Sequence, residues 1–472
     1  MSSTARWTTL QAAIAGEVIL PGSPDYDRAY RALNARFDDM RPQAIVRCRS
    51  SEDVAEATRF ARRHGFEVGT RSGGHCFAGR SSTQGLLLDV TPMHSVEISG
   101  GVVTVGGGAR LGQVYESLLE QDLTIPAGSC PSVGIAGLTL GGGLGIIGRK
   151  YGLTSDHLLG ARIVLADGRV LECDDHHDEE LFWALRGAGS GNFGVVTSLT
   201  FRTTTAPAAT NFRLAWPLSA AAAVIDAWQS WAPAGPEELA ASLVIGAGAQ
   251  VEEPPSVEVF GVMLGTESDT AELVEELVSR TKSDPDSAFR EHMPFRETTR
   301  YWADRAARDR VEGDPPGREL RGYRFIKSEF FRRPLSTEAI EALLESFLKG
   351  RVAGHSRELD FSPWGGGYNR VSADATAFVH RDDLYWLKHA TEVDPEASRA
   401  EKRAAHEWVT ESWRTVHRWG TGRVFPNFPD PELEDWAQAY YGSNVDRLLS
   451  VKARYDPGNL FRFHQSLPIR QD

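Results

Sequence analysis

The chain has 472 residues, 41% of them hydrophobic and 24% charged, the composition of a globular protein with room for two or three domains. A formal net charge of −13 argues against a nucleic-acid partner, whose backbone is bound mainly through Lys and Arg. No apolar run is long enough for a membrane span, and four cysteines without a C-x-x-C pair exclude a disulfide framework and the usual zinc pattern. The opening residues MSSTARWTTLQAAIAG lack the basic-then-apolar plan of a secretory signal, so a cytoplasmic location is expected. From Ala44 the text reads strand, helix, strand. AIVRC is short and apolar. Ser50 can cap the helix that follows, with Asp53 near its positive end. Val54, Ala57, Phe60 and Ala61 form its apolar face, and Gly65 ends it. FEVGTR is the next strand and runs into the glycine-rich SGGHCFAGRSS.

Strands are predicted at GLLLDV, SVEIS and VVTVGGG, then a helix around Leu111 to Glu120. ARIVLADGRVLEC reads as a hairpin turning at Asp167-Gly168. ELFWALRGAGSGNFGVVTSLTFR reads as helix, glycine turn and strand, with Trp183 and Arg186 as packing and surface residues. The DDHHDEE run from Asp174 reads as a solvated loop, not a metal site. TTTAPAAT, from Thr203 to Thr210, marks a boundary. Beyond it strands such as SVEVFGVML alternate with helices after Ser268 and from Ser336, the pattern of a sheet backed by helices.

Gly143 to Gly148 matches G-x-G-x-x-G, the dinucleotide fingerprint. Its context is wrong for that motif. The preceding VGIAGLTLGGG is too glycine-rich for a buried strand, and Asp167, about twenty residues on, sits in a hairpin turn instead of at a strand end. Three glycine-rich segments, Ser72–Gly79, Gly134–Gly148 and Gly187–Gly194, need one account. Glycine backbones approach a ligand closely, and successive N–H groups form an anion-binding concavity suited to a pyrophosphate.

Arg71-Ser-Gly-Gly-His75 with Gly79, Gly128-Ser-Cys130-Pro-Ser-Val133-Gly134, Gly141-Gly-Gly-Leu-Gly145 and Gly191-Asn-Phe-Gly-Val-Val196, in that order, resemble the vanillyl-alcohol-oxidase-type flavoproteins. More closely the chain resembles their berberine bridge enzyme-like group, whose closing motif is similar to YYGSN…RL…VK..YDPGNLF.F.QS here. The resemblance runs from about Arg41 to Leu467. It implies an α+β fold in which a PCMH-type FAD-binding domain (residues 1–206, core about 38–206) precedes a substrate domain (207–420). That domain is an antiparallel sheet backed by helices, and residues 421–472 return to the FAD domain. It implies FAD bonded through the 8α-methyl carbon to His75 and through ring carbon 6 to Cys130. Imidazole and thiolate are the nucleophiles such bonds need. The remaining flavin cradle is expected at Arg71, Ser72, Gly73, Gly74, Cys76 and Gly79. It continues through Val133, Gly134, Gly137, Leu140, Gly141, Gly142, Gly143, Gly145, Gly148, Tyr151 and Asp156. Asn192, Gly194, Val195, Val196, Asn427 and Asn459 complete it, with Phe461 closing the lid. Val133 occupies the position that controls oxygen access, and its valine points to an oxidase using O2 on a small-molecule substrate. A dehydrogenase and a flavin protein without turnover are the rivals.

Hydride leaves a carbinol most easily when a base takes the hydroxyl proton. The family's Y-x-N-Y tyrosines are replaced by Phe425 and Phe428, and Arg370 stands where alkaloid-forming members carry glutamate. Three readings stay open: Tyr368, expected on a strand lining the substrate face, or Tyr441 serves as base, with His380 behind them; the substrate offers an activated C–H or an amine that needs little base help; or turnover is lost. Phe425 and Phe428 form an aromatic wall.

Overall fold

A computed structural model describes residues 3–307 and 321–469. The N-terminal part is built from two sheets. Strands Glu17–Ile19, Ala44–Arg47, Leu86–Asp89 and Val68–Arg71 form the first, in that order, and its last three run parallel. Helix Ser51–His64 is set by its sequence. The Ser50 hydroxyl accepts from Asp53 N–H, and Gly65 ends the helix at φ +69, where a residue without Cβ is unstrained. The helix buries Val54, Ala57, Phe60 and Ala61, its larger side chains contributing about 1.5–3 kcal/mol each.

The second sheet is antiparallel, in the order Val96–Ser99, Val102–Gly106, Val195–Arg202, Leu158–Val164 and Val170–Asp174. Ser51 and Thr197 hydroxyls, 2.9 Å apart, tie the long helix to it. The chain leaves this sheet at Arg202 and joins a third at Ala209.

That third sheet has seven antiparallel strands in the order Ser287–Met293, Ala209–Trp216, Ser256–Met263, Leu239–Ala247, Ser356–Pro363, Tyr385–Val393 and Tyr323–Phe331. Alternation decides its two faces. Leu239, Ala241, Leu243 and Ile245 belong to a core shared with helices Ala221–Trp231, Thr337–Leu348 and Arg399–His417. The intervening Ala240, Ser242 and Val244 face a cavity instead.

From Val424 the chain returns to the first domain, and Val424, Tyr440, Tyr441 and Leu448 enter its largest core. Lys452, fully buried, donates to the carbonyls of Asn192 and Phe461 and to Asp456, each at 2.7 Å. A buried ammonium needs all three partners to offset its desolvation. This knot fastens the C-terminal segment to the third glycine-rich segment. Among the described residues no helix is long and apolar enough to cross a membrane.

Candidate functional site

Between the glycine-rich segments and the open face of the seven-stranded sheet lies a cavity of about 960 Å³, the upper end of the range for small-molecule and cofactor sites. His75 and Cys130 meet at its wall. Ser132 stands between them, its Oγ 2.9 Å from His75 Nε2 and 3.4 Å from Cys130 Sγ. Strand Val68–Arg71 delivers His75 through a turn in which Gly74 takes φ +73. The buried Arg71 guanidinium anchors that turn by donating to the carbonyls of Ala29, Tyr30, Arg31 and Ser81, and burial pulls its pKa down to about 10.

The Cys130 segment is pinned to the start of helix Leu111–Leu119. Leu111 N–H donates to the Val133 carbonyl and Gly112 N–H to that of Pro131, both at 2.9 Å. The first and second glycine-rich segments touch back to back: a Cβ on Gly73 would strike the Gly134 backbone, and one on Gly134 would strike Ser72 and Gly73. A Cβ on Gly137 would meet nothing within 4 Å, so its open side faces the cavity. Ser72, Cys76, Val133, Leu140 and Gly145 line the same wall, as do Gly194, Val195, Val196 and Asn427.

Other residues expected in the cradle lie behind the wall. Gly79 (φ +71) packs under the Phe37 ring, Gly142 against Phe378, and Gly143 against Thr154. Gly141 makes room for the Asn427 side chain and Gly148 for the Tyr368 hydroxyl. These glycines serve close packing of the loop. Asp156 pairs with Arg381 and accepts from Leu153 N–H. The Tyr151 carbonyl accepts from His157. Asn192 bridges the Ala188 carbonyl and Leu467 N–H, and Asn459 forms a turn at φ +48. The residues before Gly143 are not a strand: Ile135–Leu140 is a short helix opened by Gly134, and the G-x-G-x-x-G match lies in the loop beyond it.

The expected bases are corrected as well. Tyr368 borders the cavity, but on the short helix Gly367–Arg370 and not on a strand. Its hydroxyl donates to the Gly145 carbonyl at 3.0 Å, and its ring stacks on Trp364. Burial raises its pKa well above the usual tyrosine value, which is opposite to what a base requires. Tyr441 is fully buried, donates to the Ala188 carbonyl at 2.8 Å, and is likewise shifted up by burial. His380 is buried against Phe330, and burial lowers its pKa to about 3. Arg370 faces outward and pairs with Glu237.

The sheet face supplies groups that motif reading missed. In SRELDFSP, Leu359 and Phe361 enter the helix-side core while Glu358, Asp360 and Ser362 line the cavity. Lys388, directly across from Asp360 in register, lies 2.9 Å from both carboxylates. Ser362 donates to Asp360 at 3.3 Å. Lys388 holds the Glu358 carboxyl below the usual range. Burial alone would lower the Lys388 pKa, but Asp360 and Glu358 together raise it. Beside this cluster stand Trp386 and Phe428, ring centroids 4.6 Å apart, with Phe428 stacked on Phe77 at 5.5 Å and Lys388 5.8 Å above the Phe428 ring. Phe425 packs edge-on against Trp386. Phe77 is two residues from His75, so the aromatic wall and the acidic cluster lie next to the His75 turn. The period-two polar pattern of SRELDFSP was the available signal.

Residues 42–174 match the model of an FAD binding domain, and residues 424–468 match that of the berberine and berberine-like group. An FAD-linked oxidoreductase of Bacillus subtilis, YgaK, is 32% identical, with 96% of this chain and 97% of that one covered. The chitooligosaccharide oxidase of Gibberella zeae is 30% identical, covering 94% and 91%. Among solved structures, the Acremonium strictum glucooligosaccharide oxidase with 6-S-cysteinyl, 8α-N1-histidyl FAD superposes with a TM-score of 0.86 at 26% identity, covering 98% of each chain.

Proposed function

This chain belongs to the berberine bridge enzyme-like family of FAD-linked oxidoreductases, and we propose that it is an oxidase whose FAD is bonded to both His75 and Cys130. The observation that carries this reading is the His75–Ser132–Cys130 cluster on the wall of a cofactor-sized cavity. The residues fit the group. Backbone from three glycine-rich segments lines the cavity, Gly137 leaves an open face, and the two nucleophiles are those named in the flavin linkage of the Acremonium enzyme.

When bound, FAD accepts a hydride from the substrate and returns two electrons to O2 as H2O2. His75 and Cys130 would hold the ring at two points, with Ser132 between them. Val133 leaves room for oxygen where a leucine would fill it. With the Tyr368 hydroxyl committed to the Gly145 carbonyl, Asp360 takes the substrate's hydroxyl proton. It is the carboxylate nearest Trp386 and Phe428 in register, since Ser362 pairs with Trp386, Asp360 with Lys388 and Glu358 with Ala390. Lys388 faces two carboxylates, so the proton taken by Asp360 leaves a balanced Lys388–Glu358 pair. Phe425 and Phe428, backed by Trp386, exclude water and present apolar surface to an alcohol, sugar or secondary-metabolite substrate.

The test is to reduce the holoenzyme anaerobically and admit air. Rapid return of the oxidised spectrum with stoichiometric peroxide is expected, slowed in Val133→Leu. A reduced flavin that persists in air but yields to a dye acceptor makes the protein a dehydrogenase.

A further inference from the structure

The charges on the cavity face of the seven-stranded sheet are not evenly paired. At one end Lys388 faces two carboxylates, Glu358 and Asp360. Across the sheet the imbalance reverses: Arg213 and Arg305 share the single carboxylate of Glu258. Arg305 is committed. It bonds Glu258 Oε2, and its guanidinium lies over the Phe260 ring at 4.7 Å. Arg213 is not: it approaches Glu258 Oε1 only to 3.7 Å, with its side chain 32% exposed to the cavity it lines. Its side chain makes no hydrogen bond among the described residues. The other cavity arginines contrast with it. Arg71 and Arg149 are buried in rings of backbone carbonyls, and Arg324 bonds Glu392. Arg80, on the glycine-rich wall, lies over the Tyr440 and Phe463 rings and donates to Gln465 at 3.5 Å. On the sheet face Arg213 is the guanidinium that makes no hydrogen bond among the described residues.

Register gives the geometry. Arg213 pairs with Phe260, Phe260 with Ser242, and Ser242 lies hydroxyl to hydroxyl with Ser362 at 3.4 Å. Ser362 pairs in turn with Trp386 of the aromatic wall. These residues form one row across the strands, from Arg213 through an aromatic ring and two hydroxyls to the acidic cluster. Three strand spacings separate Arg213 from Ser362, about 14 Å.

We propose that Arg213, backed by Arg305, is a carboxylate-binding subsite, and that the natural substrate is an elongated organic acid. Its carboxylate would rest on Arg213 and its oxidisable carbon would lie beside Asp360, two residues along the strand from Ser362 and about 16 Å from Arg213. A guanidinium with free donors matches a planar carboxylate in geometry and charge. The glycine-rich backbone on the opposite wall would hold the cofactor's own pyrophosphate. The acidic cluster repels the carboxylate from the reacting end, so the two ends of the cavity together fix the substrate's direction. This inference rests on the reading that the sheet face is the substrate face.

Calorimetry on the holoenzyme tests it with 6-phenylhexanoate, an aryl ring and a carboxylate joined by an alkyl chain, and with its neutral amide, 6-phenylhexanamide. Wild type is expected to bind the acid at least about tenfold more tightly than the amide, a charge-assisted bond against a neutral one. Arg213→Gln should abolish that preference and leave the amide unchanged, while Arg213→Lys keeps part of it. Equal binding of acid and amide by wild type overturns the proposal. So does a preference that survives Arg213→Gln, or an equal loss of both ligands in that variant, which would make Arg213 a packing residue. Binding heat does not depend on turnover. A flavin that no substrate bleaches, in a protein that still prefers the acid, would sink the oxidase reading and leave this one standing.

Discussion

Replacing Asp360 by Asn removes the proposed proton acceptor while keeping the shape of the site. The amide oxygen can still accept from Ser362, which lies 3.3 Å from the carboxylate. Lys388 loses one partner at 2.9 Å and keeps Glu358 at the same distance. The gross attraction lost is about 6 kcal/mol at an effective dielectric near 20, but relief of Asp360 desolvation offsets most of it. With Lys388 still paired, the folding cost stays at about 1–2 kcal/mol, within the ordinary range for a point substitution. The chemical cost is larger. A positioned general base is worth about 10²–10⁴ in rate, or about 3–5 kcal/mol of barrier. The assay is anaerobic stopped-flow reduction of the flavin by the best substrate from a screen of oligosaccharides, aryl alcohols and hydroxy acids. Reduction should slow by about 10²-fold or more, while reoxidation of the chemically reduced variant by air stays at the wild-type rate. A reduction rate within a few-fold of wild type would refute the assignment and return the search to another group.

Tyr368→Phe is the contrasting substitution. It leaves the Gly145 carbonyl without its donor and should cost about 1 kcal/mol of stability with little change in flavin reduction. A hundredfold slower reduction in a folded protein would reinstate Tyr368 as the base. His417 is a stability probe. Its bond to the buried Glu329, 2.8 Å long, raises its pKa. The stabilisation is therefore fully present below the usual histidine value, about 6.5, and is lost as pH rises through the raised one. The melting-temperature difference between wild type and His417→Gln should be greatest in acid and shrink toward alkaline pH. A difference independent of pH contradicts the ion pair.

The parts of this molecule that sequence reading reached are those where local chemistry dominates. Ser50, Gly65 and the Val54–Ala61 stripe define the first long helix without help from elsewhere, and the Asp167-Gly168 turn defines its hairpin. His75 and Cys130 were visible because each sits in a short ordered motif. Tertiary packing decided the rest. Gly141 and Gly148 are glycines because Asn427 and Tyr368 press on them, and those partners are far away in the chain. The helix at Ile135–Leu140 was hidden by its glycines. Glu358, Asp360 and Lys388 lie on two strands of ordinary composition. Only the pairing of Ser356–Pro363 with Tyr385–Val393 brings their charges together over the aromatic wall. Tyr368, expected on a strand, lies on a short helix for a related reason: the three glycines before it let that helix tuck beneath Arg149 and Gly148.

The proposed oxidase site depends on His75 and Cys130 being joined through one flavin. The most direct measurement is the intact mass of the denatured, acid-precipitated protein for wild type, His75→Ala, Cys130→Ala and the double variant. Wild type and each single variant should carry the added mass of one FAD, and the double variant should release all of its flavin to the supernatant. Wild-type protein that loses its flavin on denaturation, or a single variant that loses it completely, would contradict the two-bond arrangement.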